Sequence, residues 1–295
     1  MARDRSVSNG LLFVVPALIW GSTWLAITWQ LGVVAPEVSV TYRFAAASLL
    51  LALGCIATRR SLRVSPRDHV FLAGVGLLMI CINYNLIYWA ERMVVSGLVA
   101  VVYSTFVFMT PVAMRIAFRT PLRPRLLGAA TLGVTGVLLL FLPELEAAGH
   151  GGSTVAGIAL TLGATLACVL GTLLAVRNQN AGIPTVQGTT WTMTYGALFA
   201  AIVAMSSGAS WTFDPRPAYL LSLAYLAAFG SVIAFVAYFA LLKRVGATPS
   251  SYISVATPVI AILLSTVFEG YRWTPLAGAG LVLAVAGIVL ALRWR

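Results

Sequence analysis

Along most of the chain, apolar residues run on for about twenty positions and then stop at short clusters of charge, Pro or Gly. A run of that length suits a helix crossing about 30 Å of hydrocarbon at ~1.5 Å per residue. The runs lack the ~10-residue alternation of a membrane barrel. They predict ten transmembrane helices, at 11–29, 38–57, 70–89, 96–117, 125–142, 154–177, 186–206, 217–242, 248–268 and 275–293. The first, Leu11 to about Trp29, is too long for a signal-peptide core and has no A-x-A exit, so it is read as a helix that stays.

Composition removes the soluble alternatives. At 60% hydrophobic and 9% charged, with a mean hydropathy of +0.95, the chain is far from the roughly 45–50% and 25% of a soluble globule. It is expected to be an all-α integral membrane protein. No connection is long enough for a soluble domain, and no His, Asp or Glu falls mid-span, which argues against an intramembrane enzyme. Cys55, Cys81 and Cys168 lie singly inside apolar runs, so neither a zinc site nor a disulfide framework is indicated. No metal and no cofactor are expected.

The net charge of +11 forms no basic stripe of the kind that nucleic acid would need. It reports topology instead. Fifteen of the 19 Lys and Arg fall at the termini and on every second connection, among them Arg59, Arg60, Arg63, Arg67, Arg115, Arg119, Arg123, Arg125, Arg177, Lys243 and Arg244. The opposite side has Arg92, Arg216 and Arg272, together with Glu37, Glu91, Glu144, Glu146, Asp214 and Glu269. By the positive-inside bias both termini are expected to be cytoplasmic.

A repeat sets the architecture. Thr110-Pro111 recurs 147 residues on as Thr257-Pro258, while Pro124 and Gly136-Val137-Leu138-Leu139 recur 151 residues on as Pro275 and Gly287-Ile288-Val289-Leu290. The difference falls at Glu269-Gly270-Tyr271-Arg272. Residues 1–147 and 148–295 are therefore read as two five-helix repeats in one integrated membrane domain. Five is odd, so the second repeat enters from the opposite face. Such inverted-topology repeats place a solute site at their interface, around a central cavity.

Trp20-Gly21-Ser22-Thr23-Trp24, the paired Thr-Pro segments, Lys243-Arg244-Val245-Gly246-Ala247-Thr248 and the Glu269–Arg272 break carry a resemblance to the EamA-type branch of the drug/metabolite transporter superfamily. It covers nearly the whole chain. Within that branch the aromatic third helix and scattered Trp look most like YddG-type exporters of aromatic amino acids. The resemblance implies export of small amphipathic metabolites by alternating access, other amino acids or lipophilic drugs being the alternative solutes. A passive channel is a further alternative. The first half departs from the family pattern, with Arg119-Thr120-Pro121-Leu122 where a Gly-Glu pair is common. The expected partners are a small-molecule solute and the lipid bilayer, with the chain able to act as a monomer.

The candidate solute-binding residues are polar or aromatic groups where lipid favours hydrocarbon. Trp20 and Trp24 share a face too deep for an interfacial belt, and helix packing beside Gly21 and Ser22 competes with a cavity-wall role, more so at Trp24. Asn83, Tyr84 and Tyr88 belong to the densest intramembrane polar cluster, which interhelical hydrogen bonding alone could explain. Tyr103 and the four-apart pair Trp191 and Tyr195 join them, with Tyr238 and Tyr252 balanced between cavity and interfacial belt. Arg43, the one charge well inside a span, could pair with a solute carboxylate, with Glu37 or Glu91, or snorkel outward.

Overall fold

The computed structural model describes residues 2–142, 152–268 and 273–293, with the side chains of the first few residues left aside. The expected boundary at 147/148, the Glu269–Arg272 break, and Glu144, Glu146 and Arg295 lie outside the described residues. Every regular element among the described residues is a helix. In chain order these are α1 (Ala2–Thr28), α2 (Pro36–Ala57), α3 (Pro66–Glu91), α4 (Ser96–Phe118), α5 (Pro124–Leu140), α6 (Gly152–Asn180) and α7 (Thr185–Ser206). Next come α8 (Pro217–Val245), α9 (Ala247–Ser250 continued by Ile253–Phe268) and α10 (Pro275–Arg293).

Eight of the described helices are long and apolar enough to cross a membrane. Helices α5 and α7 fall at expected spans but differ in kind. The first is only 17 residues long, and the second, although 22 residues long, is diluted by threonines. Its Thr189, Thr190 and Thr194 hydroxyls donate to carbonyls one turn back, so the helix meets its own polar demand.

Proline starts many of these helices where a missing N–H costs nothing, at Pro36, Pro66, Pro124, Pro217 and Pro275. Pro16, Pro111 and Pro258 instead sit inside α1, α4 and α9. Two pairs of irregularities recur at matching places. Wide π turns occupy Gly76–Ile82 in α3 and Leu226–Ile233 in α8. Turn residues 104–105 and 251–252 break α4 and α9, each shortly before its Thr-Pro.

Packing follows the same pairing. Helix α2 lies along α7 and α5 along α10, while α1 packs on α8 and α9, and α6 on α3 and α4. The α5/α10 contact is backbone to backbone. A Cβ added at Gly287 would stand 2.6 Å from the Ala129 carbonyl oxygen, so glycine is what lets the two helices meet.

Cross-links group the helix ends. At one end Arg177 bonds Asp68 at 2.5 Å, Arg244 reaches Asn9, and Trp191 Nε1 donates to the Leu62 carbonyl. This is the end with Arg59–Arg67, the basic end. At the other, Trp89 and Ser207 both donate to Glu37, and Tyr42 donates to the Thr212 carbonyl. The largest buried cluster fills the space between, with a smaller one around Val38 and Tyr219.

Candidate functional site

Between α1, α3, α4, α6, α8 and α9 the bundle leaves a slot whose empty volume, with the open space at its mouth included, is about 690 Å³. Its position follows from the pairing above, since α1 and α6 each pack on two of the other cavity helices.

Helix α1 supplies Trp20, Thr23, Trp24 and Ile27. The indole of Trp20 donates to the carbonyl of Gly230, in the π turn of α8, at 3.0 Å. It meets Phe235 edge-on at 5.2 Å and Tyr238 at 5.4 Å. Trp24 meets Tyr103 edge-on at 6.2 Å, and its own N–H, although buried, has no hydrogen-bond partner.

Helix α3 turns Met79, within its π turn, and Asn83, Tyr84 and Ile87, just after it, to the slot. Asn83 donates to the Tyr103 hydroxyl at 3.0 Å and to the Ala164 carbonyl at 2.9 Å, holding α3 to α4 and α6. The remaining walls are Tyr103 and Phe106 of α4, Cys168 of α6, Phe235 and Tyr238 of α8, and Ser250, Ile253, Ser254 and Thr257 of α9. The Tyr238 hydroxyl lies near Thr172 without a hydrogen bond of normal length. Broad aromatic walls with a few oriented donors suit a flat apolar solute carrying a polar head.

The structure thus brings Trp20, Trp24, Asn83, Tyr84, Tyr103 and Tyr238 together and seats the other candidates elsewhere. Trp191 and Tyr195 stack on each other at 5.9 Å near the basic end, where the Tyr195 hydroxyl is 2.9 Å from His69 Nδ1. Helix α7 faces α2 and α3, not the seam, which is why its aromatic face misses the slot. Tyr252 is buried and donates to the Leu126 carbonyl, tying α9 to α5.

Arg43 and Tyr88 lie behind the Tyr84 wall. Of the alternatives for Arg43, snorkelling is not taken, for its side chain turns inward and is 0% exposed. Its Nε donates to Ser231 at 3.0 Å and its Nη1 contacts the Tyr88 hydroxyl at 3.5 Å. Its guanidinium sits 4.6 Å above the Tyr84 ring and 5.1 Å from that of Phe44, so aromatic faces supply part of its counter-charge. Tyr88 donates on to Gln30 at 2.8 Å. Neither expected acid pairs with Arg43. Glu37 is taken by Trp89 and Ser207, and the carboxylate of Glu91 has no partner. Glu91 was also expected in a loop, whereas it ends α3 with its carboxylate oxygens buried, because the helix runs on past the apolar run.

Thr23, Phe235, Ser254 and Thr257 are walls that the sequence reading passed over. Thr23 lies in the Trp20–Trp24 motif, and Ser254 and Thr257 lie in or just before the Thr-Pro used to find the repeat, whereas nothing marked Phe235.

Comparison with known proteins places this geometry. The model of the EamA-like transporter family matches residues 8–142 and again 155–293. Protein PagO of Salmonella typhimurium is 24% identical over 99% of this chain and 95% of its own. The inner membrane transporter YedA of Escherichia coli is 28% identical over 95% and 89%, and the transporter YvbV of Bacillus subtilis 24% over 96% and 90%. One crystal structure shares the fold with a TM-score of 0.79 at 18% identity, covering 97% of this chain and 96% of that one.

Proposed function

The chain belongs to the EamA-like transporter family, a family of carriers and not of enzymes, and from that premise we propose that it exports small amphipathic metabolites, aromatic amino acids foremost, across an inner membrane. The observation that carries this reading is the slot itself. Its walls are Trp20, Trp24, Tyr84, Tyr103, Phe106, Phe235 and Tyr238, enough ring surface to enclose one aromatic side chain. The match to relatives named as transporters supports the activity, and YedA's name supports the inner membrane.

The mechanism we propose is alternating access by two inverted five-helix repeats, 1–147 and 148–295, with all ten helices crossing. Three features favour it. The family model matches once in each half. The π turns of α3 and α8, and the broken turns of α4 and α9, stand at corresponding places. The main packing pairs also have partners under exchange of the halves, as with α1 on α8 against α6 on α3. With the charge bias, this arrangement puts both termini in the cytoplasm.

In this mechanism Trp20, Asn83, Tyr84, Tyr103 and Tyr238 hold the solute. The other candidates do not line the slot: Arg43 and Tyr88 lie behind the Tyr84 wall, Tyr252 holds α9 to α5, and Trp191 and Tyr195 sit at the basic end. Purified protein in liposomes loaded with unlabelled phenylalanine tests the function. Labelled phenylalanine should accumulate by counterflow, saturably, and be displaced by tryptophan and tyrosine more than by alanine. Flux that rises linearly with solute would mean a channel, and displacement by alanine as strong as by tryptophan would discard the aromatic assignment.

A further inference from the structure

The slot explains how a flat apolar body is held but leaves its polar head without a seat, and one lies just behind the wall. Among the described residues, Arg43 Nη2, Gln30 Nε2 and both carboxylate oxygens of Glu91 are buried with no hydrogen-bond partner. Arg43 and Gln30 are 0% and 1% exposed. These groups form one cluster. Tyr88 accepts from Arg43 Nη1 and donates to Gln30 Oε1, and Glu91 lies one helical turn beyond Tyr88, on the same face of α3.

A buried guanidinium corner and a buried carboxylate left apart are each costly, because neither regains the hydrogen bonds it gave up to water. Other groups do not answer them. Glu37 is held by Trp89 and Ser207, Ser231 takes Arg43 Nε, and the guanidinium carbon lies over the Tyr84 and Phe44 rings. What remains open is two donors on one side and a carboxyl group on the other.

Location joins the cluster to the slot. Tyr84, whose ring lies under Arg43, is a slot wall. Thr23 is another, and a Cβ placed on Gly230 would lie 3.1 Å from both its methyl and Arg43 Nη2. Glu91 faces a pocket towards the acidic end that shares Trp24 with the slot. Trp24 is therefore a partition between the aromatic slot and the Glu91 side.

We propose that Arg43, Gln30 and Glu91 form a head-group seat for a zwitterionic α-amino acid. Its carboxylate takes Arg43 Nη2 and Gln30 Nε2, and its ammonium takes the Glu91 carboxylate. A simple anion or a simple cation would answer only one half of the cluster. This rests on the aromatic-solute reading of the slot.

The test compares phenylalanine with 3-phenylpropionate, which lacks the ammonium, and phenethylamine, which lacks the carboxylate. Binding is read as the thermal shift of the purified protein and transport as inhibition of labelled phenylalanine counterflow. Wild type should favour phenylalanine over either analogue by at least about tenfold, the scale of one lost charge-assisted hydrogen bond. Glu91→Gln should weaken phenylalanine and phenethylamine while sparing phenylpropionate. Arg43→Lys, which keeps the charge but not the fork, should weaken phenylalanine and phenylpropionate while sparing phenethylamine. Gln30→Leu should act in the same sense as Arg43→Lys, so that the carboxylate half is still tested if Arg43→Lys does not fold. Equal binding of all three solutes by wild type, or equal losses on all three in folded variants, would overturn the seat while leaving the slot intact. A protein that binds none of the three would overturn the slot and the seat together.

Discussion

Replacing Trp20 separates the two jobs that the structure gives its indole. Trp20→Phe keeps a ring against Phe235 and Tyr238 but removes the donor 3.0 Å from the Gly230 carbonyl. Leaving that carbonyl without its partner should cost about 1–3 kcal/mol. Trp20→Leu also removes the two ring contacts, at 5.2 and 5.4 Å, each worth about 0.5–1.5 kcal/mol. The expected total for Trp20→Leu is therefore about 2–6 kcal/mol. Thermal unfolding in detergent, followed by loss of monodisperse protein, should rank wild type above Trp20→Phe and Trp20→Leu last. Counterflow should rank differently: Trp20→Phe keeps the aromatic wall and should leave the KM for phenylalanine nearly unchanged, whereas Trp20→Leu should raise it severalfold. Equal stability of the two variants would refute the ring-contact argument, and an unchanged KM in folded Trp20→Leu would remove Trp20 from the solute wall.

Tyr195→Phe should leave the KM for phenylalanine unchanged, since its hydroxyl binds His69 near the basic end and not in the slot; a raised KM would mean that α7 reaches the solute. Gly287→Leu should deplete folded protein, because a side chain there meets the Ala129 carbonyl oxygen and overpacking costs about 1–3 kcal/mol; normal yield and melting would contradict the α5/α10 contact. The loop before α8 should show a simple pH response. Arg216 hydrogen bonds hold the Asp214 carboxyl below its usual range. A depressed carboxylate stabilises at pH above the unfolded value of about 3.9 and loses that contribution as pH falls through its folded value. Melting of wild type minus Asp214→Asn should thus be flat from pH 8 to about 5 and shrink only below about 4.

The helices were legible because lipid enforces long apolar runs. The π turns at Gly76–Ile82 and Leu226–Ile233 were not, since apolar sequence looks alike whether wound in α or π form. Spacing put Trp191 and Tyr195 on one face, as it did Tyr84 and Tyr88. It could not say which helices border the seam, nor that Tyr84 would face the slot while Tyr88 met Gln30 and Arg43. Arg43 shows the same limit from the side of charge. Distance from the end of α2 suggested snorkelling, but Ser231 and the rings of Tyr84 and Phe44 hold it inward, and all three are remote or unmarked in sequence.

Cys168 offers the most direct view of the slot, because it lines the slot and is the one free cysteine of three that does so. In protein with Cys55→Ala and Cys81→Ala, the rate at which N-ethylmaleimide modifies Cys168 should fall as phenylalanine is added, following occupancy as 1 + [L]/Kd. Glycine at equal concentration should give no protection. Modification that proceeds at the same rate in saturating phenylalanine, in vesicles that transport it, would put the solute somewhere other than this cavity.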